Sequence, residues 1–279
     1  MKRIFEFFSS TLLLAACSSE PKTPPVAPVS APAVATEEVA ALEYEVISKI
    51  PHDKNSFTEG LFFHNGQLFE STGSPDELPD SRSVFGILDQ KTGQIQVKAT
   101  LDKKYFGEGI VLVNDKIYQL TYKDQLGFIY DAKNFKKLGE FKFKSQEGWG
   151  MTTDGTSIIM SDGTNILTYL DPSTLKETKT LTVTNGGYPE DDLNELEYIE
   201  GFIYANIWTK NYVAKIDPAN GKTVGIIDFS ALKYEAKSAY DNAEVLNGLA
   251  YDPASKTLYV TGKLFPFVYL VKLKENVSK

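Results

Sequence analysis

Short runs of alternating apolar and polar residues fill the chain from about residue 42 onward, each closed by Gly, Asn, Asp or Pro. A period of two places every second side chain on one face of a strand. Gln67-Leu68-Phe69-Glu70, Lys116-Ile117-Tyr118-Gln119 and Thr257-Leu258-Tyr259-Val260 read as strands, entered from the turns His64-Asn65-Gly66, Asn114-Asp115 and Asp252-Pro253. Asp154-Gly155 and Glu200-Gly201 fill the same place in two further units. Asn-Gly and Asp-Gly between apolar runs are strong hairpin signals.

These hairpins belong to a larger repeat. Its opening strand appears as Phe57-Thr58-Glu59-Gly60-Leu61-Phe62, Phe106-Gly107-Glu108-Gly109-Ile110-Val111, Gly148-Trp149-Gly150-Met151-Thr152, Leu193-Asn194-Glu195-Leu196-Glu197-Tyr198 and Leu246-Asn247-Gly248-Leu249-Ala250-Tyr251. With Glu59, Glu108, Trp149, Glu195 and Asn247 taken as equivalent, the spacings are 49, 41, 46 and 52. In four units a further strand ends in an aspartate (Asp89, Asp131, Asp171, Asp217), and another leads away from it. Four strands per unit with little helix predict an all-β, five-bladed β-propeller. The fifth unit stops after Phe267-Val268-Tyr269-Leu270-Val271 without a fourth strand, and an open edge there would invite aggregation. Tyr44 to Ile50 alternates like a strand and is predicted to join the last blade and close the ring. An open sandwich of hairpins is the rival, but it explains neither the period nor the truncated last unit.

The first forty residues have a different character. Lys2 and Arg3 precede an apolar stretch ending in Leu12-Leu13-Leu14-Ala15-Ala16-Cys17, the layout of a secretory leader. Leu-Ala-Ala-Cys also resembles the bacterial lipobox, in which the cysteine is acylated and becomes the new N-terminus. Acyl chains contribute about 0.8 kcal/mol per buried CH₂, so two or three of them anchor firmly. The alternative is an ordinary cleaved leader with an incidental cysteine. Ser18 to Ala41 holds five of the 13 prolines among Ala, Val and Ser, and reads as an extended tether. The expected division is 1–16 leader, 17–41 lipidated Cys17 and tether, and 42–279 propeller. It places the protein in a bacterial cell envelope, membrane-attached through Cys17, periplasmic or outer-membrane-associated, and monomeric.

Composition narrows the chemistry. A single cysteine excludes an internal disulfide framework and any multi-cysteine metal site. The only histidines, His52 and His64, leave little for a metal or a Ser/His/Asp site, so no metal and no cofactor are expected. A net charge of −8 argues against a general nucleic-acid binder. No internal apolar run is long enough to span a bilayer as a helix.

In a propeller the inner strands surround a central channel, so Glu59, Glu108, Trp149, Asn194 and Asn247 should converge at one mouth. Glu108 sits between two glycines after Phe106. A carboxyl in an aromatic mouth is pushed up by desolvation, as a general acid or base needs. The competing role is structural, with the carboxylate accepting loop amides, and for Glu108 the pattern leaves both open; Glu59 and Glu195 fit the structural role better. Trp149, between Gly148 and Gly150, suits a pocket wall. Trp208 ends a returning strand, where packing is a fair rival. Lys263, between Gly262 and an aromatic-proline turn, has no role assigned by pattern.

These residues together resemble the glutaminyl-peptide cyclotransferase family of the plant and bacterial type. The resemblance runs through Ser56 to Leu61, Glu70-Ser71-Thr72-Gly73, Tyr105 to Gly109, Gly148-Trp149-Gly150, Ser161-Asp162-Gly163-Thr164, Leu193 to Tyr198, Tyr204 to Trp208, Leu246 to Ala250 and Val260 to Lys263. It implies a five-bladed propeller that cyclises the N-terminal glutamine of peptides or proteins to pyroglutamate, with release of ammonia. It implies Glu108 as the acid/base and Asn194 and Lys263 as ligands of the amide oxygen or a peptide carbonyl. Phe57, Phe106, Trp149 and Trp208 match the aromatic lining. The chain departs from the family at Glu59, where Gln is common, and at Tyr122 and Phe265, where Trp is frequent. Glu59 and Tyr122 would then touch the substrate, and a second acid at Glu59 could raise the pKa of Glu108. The alternative function is a noncatalytic propeller lipoprotein that binds a peptide or envelope partner at the same mouth.

Overall fold

The computed structural model describes residues 39–274. Cys17, the leader and most of the tether lie outside the described residues.

Among the described residues, five blades of four antiparallel strands follow one another, the fourth extended by a further strand at its outer edge and preceded by a short hairpin, Thr184–Asn185 with Tyr188–Pro189. Their inner strands are Phe57–His64, Gly107–Val113, Met151–Thr153, Leu193–Ile199 and Leu246–Asp252. Each inner strand pairs with the strand after it, and two more strands continue outward. The fifth blade takes its outer strand from the other end of the chain. Tyr44–Pro51 pairs antiparallel with Phe267–Leu273, from Tyr44 opposite Leu273 to Pro51 opposite Phe267. The ring is closed as the truncated last repeat requires.

Apolar faces of neighbouring blades meet in five clusters of buried residues. One packs Phe62, Phe69 and Phe85 of the first blade on Ile110, Ile117 and Phe128 of the second. The others fill the second–third, third–fourth, fourth–fifth and fifth–first interfaces. The recurring aspartates close the outer turns: Asp89, Asp131 and Asp171 each accept backbone N–H groups two and three residues on, at 2.8–3.2 Å. Their side chains replace turn hydrogen bonds that the backbone could not make. For Asp171, hydrogen bonds from Ser173 and Thr174 hold the carboxyl down at about 2.

Three features differ from the sequence expectation. Ala40–Ala41, placed there at the end of the tether, pairs in parallel with Gly225 and Ile226 at the outer edge of the fourth blade. A ten-residue helix, Ser230–Ala239, leads from the fourth blade to the fifth, burying Leu232 and Ala236. The third is a bulge, common to four inner strands, between Thr58 and Gly60, Gly107 and Ile110, Leu193 and Leu196, and Leu246 and Leu249. An extra residue on one strand re-aims the side chains around it. Counted from the bulge, the partner of Glu108 in the fourth blade is Asn194, not Glu195. Glu195 falls where the other four copies carry Gly60, Gly109, Gly150 and Gly248.

That glycine position lies where inner strands crowd together. A Cβ on Gly109 would come within 2.5 Å of the Trp149 carbonyl, and one on Gly150 within 2.1 Å of the Asn194 carbonyl. In the fourth blade the room is taken by the Glu195 carboxylate, which accepts Leu249 N–H at 2.8 Å and Leu61 N–H at 3.2 Å. It thereby ties the first, fourth and fifth blades. Burial, reinforced by the charge of Glu197, pushes Glu195 well above the usual carboxyl range.

Candidate active site

The bulged ends of the inner strands open into a cavity of about 540 Å³. Phe57, Glu59, Phe106, Glu108, Tyr122, Trp149, Asn194, Trp208 and Lys263 all line it; Asn247, also expected at the mouth, is instead fully buried behind Glu59 and does not line the cavity. The lining residues come from all five blades. The sequence reading missed Pro75, Glu147, Asp162, Thr164 and Asp192, which complete the wall together with Gly163.

Glu108 is held by its backbone and left free at its tip to meet other groups. Its carbonyl accepts the Ser71 hydroxyl from the first blade, and that hydroxyl in turn accepts Gln119 Nε2 at 2.9 Å. The next residue, Gly109, donates its N–H to the Trp149 carbonyl at 2.7 Å. Glu108 is 5% exposed, and its carboxyl shares the cavity floor with that of Glu59. Desolvation is the main reason its pKa lies well above the carboxyl range; the charge of Glu59 adds to this, and Lys263 opposes it. Glu59 is also raised, first by burial, but the Lys263 ammonium pulls it back.

Lys263 Nζ lies 2.7 Å from Glu59 Oε1 and 4.5 Å from the centre of the Phe57 ring. Its backbone is fastened on both sides: Lys263 N–H donates to the Val245 carbonyl at 2.9 Å, and Leu264 N–H to the Ser56 carbonyl at 2.8 Å. Glu59 Oε2 accepts Asn247 Nδ2 at 3.2 Å. Asn194, 3% exposed, carries a side-chain carbonyl without a hydrogen-bond partner among the described residues.

Aromatic rings form the remaining wall. Phe106 meets Phe57 edge-on at 6.1 Å and Tyr122 at 5.8 Å. Gly73 makes room for it, since a Cβ there would come 2.1 Å from the Phe106 ring. Trp149 and Trp208 meet edge-on at 5.7 Å. Trp149 Nε1 donates to Glu147 at 2.9 Å, and its ring lies on Gly163, whose φ of +80° and absent Cβ both suit that contact. Asp192 donates its N–H to the Gly163 carbonyl and accepts Trp208 N–H, both at 2.9 Å, which sets Trp208 beside Trp149. Trp208 remains 43% exposed, at the rim. Such a site offers a dry floor with two carboxyls and an ammonium, an amide carbonyl to one side, and walls that hold a short apolar or amide-bearing chain. Among the described residues no group of three or more His, Cys, Asp or Glu side chains could hold a metal ion.

Comparisons with known proteins agree with one another. The profile of the glutamine cyclotransferase family matches residues 12–273. A glutaminyl-peptide cyclotransferase of Arabidopsis thaliana is 40% identical over 239 residues, covering 85% of this chain and 73% of that protein. The crystal structure of Myxococcus xanthus glutaminyl cyclase superposes with a TM-score of 0.76 at 33% identity, over 85% of this chain and 99% of the other.

Proposed function

The chain belongs to the glutamine cyclotransferase family, and from that premise we propose that it is a glutaminyl-peptide cyclotransferase whose reaction runs at Glu108. The observation that carries the reading is a buried, raised carboxyl at the floor of an aromatic cavity, with an ammonium beside it.

The free α-amine of a substrate's N-terminal glutamine attacks the Cδ of its own side-chain amide. As the N–Cδ bond forms, the carbonyl π pair moves onto oxygen. Glu108 gives its proton to the amide nitrogen, the oxyanion pair re-forms the carbonyl, the bond from Cδ to that nitrogen breaks, and ammonia leaves with that bond's electron pair. Glu108 then recovers a proton from the new ring nitrogen. One carboxyl serves both steps because both nitrogens sit on the same carbon. Lys263 has N–H groups beyond the one given to Glu59, and steadies the oxyanion. The Asn194 carbonyl accepts an N–H of the substrate. The walls keep the glutamine side chain folded back, and that proximity supplies a large part of the acceleration.

The first test is incubation of the protein with Gln-initiated dipeptides and detection of ammonia and the pyroglutamyl product. No ammonia from any of them would sink the reading. A second expectation concerns the residue after glutamine. Glu147, Asp162 and Asp192 stand in the wall; among the described residues Lys263 is its one cationic lining residue, with Lys123 behind it 3.5 Å from Glu147. Gln-Lys should be turned over several-fold faster than Gln-Glu in kcat/KM at about 0.01 M salt, and the gap should close toward about 1 M as the field is screened. Equal values at low salt would rule out electrostatic selection by the wall.

The same protein is proposed to be tethered to an envelope membrane through Cys17. The support is the Leu14-Ala15-Ala16-Cys17 sequence and the Pro-rich stretch behind it. Labelling with a fatty-acid analogue, abolished by Cys17→Ser, tests the anchor.

A further inference from the structure

We propose that Glu59 is a positioning residue for this reaction: it accepts the hydrogen bond of a single proton shared with Glu108, so that Glu108 meets the substrate in its acid form. The inference rests on the role given to Glu108 above and adds to it the source of that group's resting protonation.

The geometry carries the argument. Two carboxylates cannot hydrogen-bond to each other, because both are acceptors only. Glu59 and Glu108 precede Gly60 and Gly109 on adjoining inner strands, a Cβ on Gly60 would lie 3.0 Å from the Gly109 Cα, and both carboxyls line one cavity, so a bond between them takes one proton. The partners of Glu59 decide its owner. One Glu59 oxygen faces the Lys263 ammonium at 2.7 Å, and the other faces Asn247 Nδ2 at 3.2 Å. Both neighbours are donors, which favours the ionised form at Glu59. The proton therefore sits on Glu108, pointing at Glu59.

Charge balance gives the same answer. Glu59 is 1% exposed, Glu108 5% and Lys263 7%. With one shared proton the trio is neutral overall. With none it would be a buried net anion, which a dry site disfavours. The other charged groups that face the pair are Glu147 toward Glu108 and Glu244 toward Glu59, and both oppose a further negative charge. The interacting pair titrates as a unit, so its apparent pKa belongs to both residues.

The consequence is a pH signature. The productive complex needs the pair singly protonated and the substrate amine neutral. One limb of the kcat/KM profile therefore belongs to the pair and the other to the amine, whose unperturbed pKa is about 7.7–8.0. In Glu59→Gln the pair becomes a lone carboxyl beside Lys263, without the like charge. Its limb should move to lower pH by about one unit or more, and the amine limb should stay. Glu59→Asp, which keeps the second acid, should restore most of the wild-type position. A merely structural Glu59, needed only to hold Lys263, would raise KM and leave both limbs in place, and that result would overturn the proposal.

An activity-independent measurement separates this inference from the function on which it rests. Infrared difference spectra across pH, wild type minus Glu108→Gln, should show the carbonyl band of one protonated carboxyl at neutral pH. The corresponding difference in the Glu59→Gln background, against Glu59→Gln/Glu108→Gln, should lose that band at lower pH. Unfolding midpoints near wild type establish that the variants are folded. Absence of ammonia from the wild type with the band present would defeat the catalytic reading alone. Ammonia release with no such band, or with a band unmoved by Glu59→Gln, would defeat the shared proton alone.

Discussion

Glu108→Gln is expected to cut ammonia release from a Gln-initiated dipeptide by roughly 10³-fold, with the loss in kcat and little change in KM; general acid–base groups contribute about 10²–10⁴-fold. The substitution removes a transferable proton and almost nothing else. Gln has nearly the same volume, and the local backbone is held by groups the side chain does not touch: the Ser71 hydroxyl on the Glu108 carbonyl, and the Gly109 N–H on the Trp149 carbonyl. The aromatic walls and Lys263 remain to bind the substrate, so binding and chemistry should separate. Proximity alone continues to favour ring closure, which is why the residual rate should stay above that of the free peptide. Glu108→Asp keeps the acid but withdraws it by one methylene, and should fall between the two. A Glu108→Gln rate within about tenfold of wild type would remove Glu108 from the proton transfers.

The ring and its mouth were legible for a definite reason. Strand period and turn residues are local signals, and repetition multiplies them. The missing fourth strand of the last repeat was itself information, because a blade edge must be covered, and Tyr44–Pro51 covers it. Convergence of Glu59, Glu108, Trp149 and Asn194 follows from equivalence of repeats rather than from proximity along the chain; Phe57 and Lys263 are reached only through the resemblance to the family. What failed was counting by single residues. The bulges insert a residue that a gapless pattern cannot see, so Glu195 was set beside Glu108 although its carboxylate spans blades at Leu61 and Leu249. Glu147, Asp162 and Asp192 were overlooked because they lie in loops without periodicity. Asp162 stands inside Ser161-Asp162-Gly163-Thr164, a stretch that carries the family resemblance and was the available clue.

His52 offers little for a metal or a Ser/His/Asp site, and its expected substitution effect is the second large one. His52→Ala should lower stability by about 3–5 kcal/mol at pH 6, the cost of breaking a buried ion pair from one side. It should be read as a lower denaturant midpoint at unchanged slope. Both ring nitrogens face acceptors: Nδ1 the Phe265 carbonyl at 2.8 Å, and Nε2 the Glu70 carboxylate at 3.0 and 3.1 Å. Two acceptors require two N–H donors, which only the imidazolium has. Burial, the largest influence, pushes its pKa down. The charge and hydrogen bond of Glu70, the Phe265 carbonyl and Asp53 outweigh it and leave the pKa raised. A raised pKa means that the folded state binds the proton more tightly than the unfolded one. The stabilisation is therefore complete below the unfolded value of about 6.5, and is lost as pH rises through the folded value. Wild-type stability should carry this downward component above pH ~6.5, and His52→Ala should lack it. Glu70→Gln, which takes away the counter-charge while keeping an acceptor for the Thr58 hydroxyl, should both destabilise and flatten the dependence. His52 and Phe265 are 213 residues apart along the chain, and His52 N–H also holds the Pro266 carbonyl at 3.0 Å. The same bonds thus fix the closing strand to the turn that carries Lys263. For that reason His52→Ala should also raise KM at temperatures where the fold is intact. A loss below about 1 kcal/mol, or pH slopes parallel to wild type, would show that the imidazole is neutral and the pair incidental.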